Sequence, residues 1–125
     1  MSTYHAVVWL DHSEAHVAMF DPEHVQLQRI RSRSHHKHPG KGGEASALFA
    51  DIAQAVASCK EVLVTGPGSA RQQFGDWCAQ HCAPVAKVIV GSVASDHPSD
   101  AQLVAMAKQY FKRFDNMAPD PSLRS

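Results

Sequence analysis

Between positions 24 and 43 the chain has no acidic residue, yet it holds Arg29, Arg31, Arg33, Lys37 and Lys41, with His35, His36 and His38 among them. The three arginines are spaced by two, a period that puts them on one face of an extended strand. Such a patch draws phosphate groups from within a Debye length, roughly 8–10 Å, whatever the net charge of the whole protein. Gly40, Gly42 and Gly43 follow, and glycine lets backbone approach a ligand with no Cβ between them. Glu44 closes the stretch. The chemistry on offer is anion binding by fixed cations and backbone amides. A solvated edge strand running into a loop has the same composition and no ligand.

Other constellations are weaker. Two-metal nuclease chemistry needs carboxylates converging on ions about 3.5–4 Å apart. Asp11, just after the first strand, and Asp51, in the first helix, are the candidates, and the fourth strand ends in Thr65-Gly66 with no acid. Asp11 in Asp11-His12-Ser13 reads better as a turn-former. The run His35-His36-Lys37-His38 binds Zn²⁺ or Ni²⁺ adventitiously at most, because Lys37 and an open loop do not make a closed site. Cys78, His81 and Cys82 share a helix face but need a fourth ligand such as Cys59, and buried cysteine acting as a small apolar residue explains Cys78 better. Gly66-Pro67-Gly68-Ser69 lacks the lysine of a phosphate-binding loop and reads as a strand-to-helix turn. The expectation is no metal and no cofactor.

Positioning the cationic stretch falls to the elements around it. Residues 4–10 (YHAVVWL) are apolar on both faces, as in a central strand covered on two sides. Residues 14–21 (EAHVAMFD) read as a second strand, and 24–33 as a third, edge strand that turns polar after Val25 and Leu27. Short turns between them make an antiparallel meander. Residues 34–43 have no apolar side chain and form a loop. From Ala45 the period becomes helical, with Leu48, Phe49, Ile52, Ala53 and Val56 on one stripe. Residues 61–65 (EVLVT) and 85–91 (VAKVIVG) read as buried strands. Ser69 with Gln72, and Ser99 with Gln102, carry the capping-box signature of two further helices. Leu103, Val104, Met106, Ala107, Tyr110 and Phe111 give the last helix an apolar stripe, and Trp9, Phe49, Phe74, Trp77 and Phe111 read as core.

The order β-β-β-α-β-α-β-α is an α/β arrangement. Strands separated by helices pair in parallel through right-handed crossovers. The expected fold is therefore a ribonuclease H-like mixed five-stranded sheet with helices packed on it, as one domain over residues 1–115. A frayed tail over 116–125, with two prolines, follows. The exposed third strand also offers an edge for pairing into a homodimer.

Composition narrows the function classes. The chain has 125 residues, 44% of them hydrophobic, enough for one core and too many for a disordered chain. Twelve Lys+Arg balance twelve Asp+Glu, which excludes a uniformly basic protein that coats nucleic acid. The longest apolar run is far short of the ~20 residues that span a bilayer, so no membrane is expected. The N-terminus lacks the blocks of a signal peptide, and three cysteines are not a disulfide framework, so a reducing cytoplasm is the default.

The stretch Lys37-His38-Pro39-Gly40-Lys41-Gly42-Gly43-Glu44-Ala45-Ser46-Ala47-Leu48-Phe49-Ala50 resembles the loop and helix of the middle domain of eukaryotic and archaeal class I release factors, which reads KHGRGGQSALRFAR. In both, the loop follows three strands and opens a long helix. The segment EVLVTGPGSARQQFGDW is similar to the family's strand that ends in a glycine-containing turn before a helix. Pelota shares the domain without the GGQ motif, and bacterial relatives with an altered motif exist. The resemblance implies a translation-associated module that contacts ribosomal RNA or tRNA on the ribosome through Arg29, Arg31, Arg33, His35, His36, Lys37, His38 and Lys41. In the release factors the GGQ helps water cleave the peptidyl-tRNA ester. Gly42 and Gly43 match the glycines, whereas Glu44 replaces glutamine and offers acceptors in place of amide donors. Efficient ester hydrolysis is therefore not expected. Gly42, Gly43 and Glu44 remain the candidates for a weak one, and a protein-interaction domain that has lost the ribosome is the other alternative. As an acid in the first turn, Glu44 also suits the positive end of the helix dipole.

Overall fold

The computed structural model describes residues 5–21, 23–31 and 43–117. Strand β1 (His5–Leu10) is buried at every position after His5, and β2 (Glu14–Phe20) and β3 (Val25–Arg31) follow it in an antiparallel meander. The turn between β1 and β2 is made by Asp11, whose Oδ1 accepts the backbone N–H groups of Ser13 (2.8 Å) and Glu14 (2.9 Å). Asp21 repeats the device before β3, accepting from Glu23 and His24. Short acidic side chains that mimic a backbone turn explain both reversals. Asp11 is thereby occupied as a turn-former.

After β3 the chain re-enters as helix α1 (Gly43–Ala55), then β4 (Glu61–Gly66), α2 (Ala70–His81), α3 (Ala83–Val88), β5 (Ile89–Ala94) and α4 (Asp100–Met117). The sheet order is β3-β2-β1-β4-β5, with β4 parallel to β1 and β5 parallel to β4. This is the expected mixed five-stranded α/β sheet. One face carries Ala6, Val8, Leu10 and Val17 against Leu48, Ile52, Phe74 and Val85 of the first three helices. The other carries Val7, Trp9, Ala18 and Phe20 against Leu103, Ala107 and Phe111 of α4. Alternation along β1 feeds both cores, which is why its sequence reads as continuously apolar.

Two expectations fail locally. The strand expected over 85–91 is instead α3 followed by a strand shifted to 89–94. Pro84 sits in the first turn of α3, where its missing N–H costs nothing and its fixed φ suits a helix. An apolar run too short to show a period hides that switch. Nor is β5 fully buried; it pairs with β4 alone and its last three residues Ser92, Val93 and Ala94 are exposed. The capping boxes also diverge. Ser99 and Gln102 form one, with Ser99 Oγ accepting from the Gln102 N–H (3.1 Å) and Gln102 Oε1 from the Ser99 N–H (2.9 Å). Ser69 does not, because its own backbone is helical (φ −97°, ψ −1°) and its hydroxyl caps no N–H. Its Oγ instead accepts from Gln73 Nε2 at 3.4 Å.

Helix α4 runs through Asn116 to Met117, and residues 118–125 lie outside those described.

Candidate nucleic-acid interface

Strand β3 is the outermost strand on its side of the sheet, and its register fixes what it presents. Val25, Leu27, Arg29 and Arg31 lie opposite Phe20, Ala18, His16 and Glu14, so all four point to the α4 face. Helix α4 packs against β1 and β2. The β3 part of that face is therefore open, with Val25 45% and Leu27 51% exposed and both arginines at the surface. On the opposite face Ile30 is buried beneath α1. The β3 end of this face is thus an apolar-and-cationic strip: aliphatic surface at one end, guanidinium groups at the other. Between it and the start of α4 lies a cavity of about 320 Å³ lined by His16, Leu27, Arg29, Asp100 and Leu103 among others.

Arg31 reaches back to Glu14, Nε to Oε1 at 3.8 Å, yet its side chain remains 67% exposed. Exposed pairs of this kind hold little energy and are readily exchanged for another anion. Arg29 faces the cavity beside His16.

The strip ends where the sheet presents the carboxyl ends of β1, β4 and β5, the side on which open α/β sheets bind ligands. Glu14, opposite Arg31, opens β2 there. The chain after β5 is pinned to this end: the Ser95 N–H donates to the Gly66 carbonyl (3.1 Å), Thr65 Oγ1 donates to the Val93 carbonyl (2.6 Å), and the Trp9 indole N–H donates to the Asp96 carbonyl (2.6 Å). Gly66 holds φ +144°, and a Cβ on it would overlap the Leu10 carbonyl oxygen, so the β1–β4 contact needs glycine there. His97 follows on this anchored segment and packs its ring at a tilt against Trp9, ring centroids 4.2 Å apart.

Of the residues expected to meet phosphate, Arg29 and Arg31 are placed, on one exposed face as their spacing requires. Arg33, His35, His36, Lys37, His38, Lys41 and Gly42 lie outside the described residues. Gly43 and Glu44 are the first two residues of α1. Asp51 borders β3 near Arg29 and Arg31, whereas Asp11 is committed to its turn. Cys59 and Cys78 are both in the core under α1 and α2. The sequence reading missed the grouping of Glu14, His16 and His97, because the two histidines are far apart in the chain. The available signal was Glu14 and His16 two apart, which places them on one face of the strand.

No protein-family model matches the sequence, and no curated protein sequence matches it. Solved structures do. The chain is similar to the crystal structure of Thermoplasma acidophilum Pelota, with TM-score 0.60 and 27% identity over 82% of this chain and 30% of that one. Archaeoglobus fulgidus Pelota gives TM-score 0.60 at 17% identity, over 87% and 32% of the two chains. An archaeal translation termination factor gives 0.59 at 12%, over 90% and 40%. The likeness supports the family-level resemblance and covers nearly all of this chain. The chain spans about a third of the length of these neighbours.

Proposed function

We propose that this domain is a translation-associated module that binds ribosomal RNA or tRNA on the ribosome. Arg29 and Arg31 supply its described contact face, and Arg33, His35, His36, Lys37, His38 and Lys41 continue it. The observation that carries the reading is the open face of β3: two exposed arginines on the strand that leads directly into the acid-free segment, on a fold shared with Pelota and a termination factor. Aliphatic surface beside guanidinium groups suits RNA, where unstacked bases and phosphates are offered together. The cytoplasm is the compartment this role requires. No described helix is long and apolar enough to cross a membrane.

Co-sedimentation with ribosomes across a salt series tests it. Binding falls with added salt, and the Arg29→Glu/Arg31→Glu variant, folded by circular dichroism, loses most of it. Its salt slope is also shallower, by about 1 for each arginine that had met a phosphate. Unchanged binding by that variant overturns the assignment of the surface. Association that persists at high salt overturns the electrostatic basis.

A second reading, weak hydrolysis of the peptidyl-tRNA ester, is favoured by the start of α1 at Gly43. The first backbone N–H groups of a helix have no partner within it, and here they begin at Gly43 and Glu44. Here Glu44→Gln restores the amide donors. In a peptide-release assay that variant exceeds the native chain if the reading holds, and no release by either removes it. The outer edge of β3 is also where a second copy would add a strand. Sedimentation velocity of the free protein reads that homodimer directly.

A further inference from the structure

Glu14, His16 and His97 bring one ligand atom each to within 4.8 Å of one another, at the end of the sheet beside the proposed RNA-binding face. From these residues we infer a binding site for a single Zn²⁺ ion, with Glu14 Oε2, His16 Nε2 and His97 Nε2 as its protein ligands. The inference does not depend on ribosome binding.

The distances suit the ion. His16 Nε2 stands 3.5 Å and His97 Nε2 3.7 Å from Glu14 Oε2. Zinc bonds of about 2.0–2.1 Å in tetrahedral geometry put neighbouring ligand atoms about 3.3–3.5 Å apart. These separations are long for hydrogen bonds and close to the edges of that tetrahedron.

The partner of the other ring nitrogen of His16 fits the same reading. Asp100 Oδ1 lies 3.2 Å from His16 Nδ1, an orientation in which the ring donates Nδ1–H to the carboxylate. That contact leaves Nε2 as the ring nitrogen available to a metal ion. A carboxylate behind a histidine ligand is also the usual outer partner of a zinc site, because it fixes the tautomer and the ring. Arg31 lies nearest the other oxygen of Glu14, at 3.8 Å, while Oε2 is the one beside the two histidines.

The ligands are held from independent elements. His16 is on β2, with its side chain 13% exposed, and packs edge-on to Trp9 at 5.6 Å. His97 is carried by the segment that the Trp9 indole and Ser95 pin to the sheet. Trp9 walls one side of the group, which strengthens charge–ligand attraction by excluding water. Two imidazoles and a carboxylate favour zinc over the hard cations, and three protein ligands leave a fourth position open.

Titration of the full chain with Zn²⁺ alone, by calorimetry, tests the site, with Co²⁺ absorption reporting tetrahedral coordination. One high-affinity equivalent is expected, lost in His97→Gln and in His16→Gln. His97 is 58% exposed on its loop, so His97→Gln leaves the fold intact by circular dichroism. Asp100→Asn lowers the affinity by about 10–100-fold while the Co²⁺ spectrum keeps its tetrahedral form. A variant with His35, His36 and His38 all changed to Gln retains the equivalent. The site is overturned if the native chain binds no zinc, if His97→Gln binds as tightly as the native chain, or if the triple variant alone abolishes binding.

Discussion

Cys59 and Cys78 belong to the core in both position and chemistry. Each is buried against the sheet, at 5% and 0% exposure, and burial pushes the Cys59 thiol up to about 11 and the Cys78 thiol, with its neighbour Cys82 adding to the effect, to about 12. Both folded values lie above the ordinary 9.0, so their contribution to stability is complete below about pH 9 and is lost as pH climbs through 11 to 12. In the native protein at pH 8, iodoacetamide therefore labels half-buried Cys82 and leaves Cys59 and Cys78 unmodified until denaturant is added, as read by intact mass. Rapid native labelling of Cys78 would contradict its placement. At this scale the sequence was readable where a residue acts alone: Asp11 as turn-former, Cys78 as a small apolar residue. It was silent on His16 and His97, because their meeting depends on how β2 and the segment after β5 come together at one end of the sheet.

Elements were legible wherever period and length agreed. The stripe Leu48, Phe49, Ile52, Ala53 and Val56 is buried as its spacing requires, and the doubly apolar β1 is central. Residues 85–91 were not, since a six-residue helix before a six-residue strand leaves no period to read. The two serine caps make the same point with energies. Ser99 exchanges reciprocal hydrogen bonds with Gln102, whereas Ser69 caps nothing. Ser99→Ala should lower unfolding stability by about 1 kcal/mol in denaturant titration, and Ser69→Ala by no more than a few tenths. Equal losses would mean that α2 is capped as α4 is.

Across the whole molecule, the arrangement follows from a sheet with unequal cover. Helices α1 to α3 bury one face and α4 buries the centre of the other, leaving β3 with its arginines and aliphatic side chains open. Chain order predicted the mixed sheet. It did not predict that α4 would stop short of β3, because an amphipathic stripe specifies what a helix buries and not where it lies across a sheet. The open strip is the central claim, and site-specific photocrosslinking on ribosomes tests it most directly. A photoreactive residue at Leu27, exposed between the two arginines and Val25, should crosslink to RNA, while one at Gln80, exposed on α2, should not. RNA crosslinks from Gln80 with none from Leu27 would contradict the account.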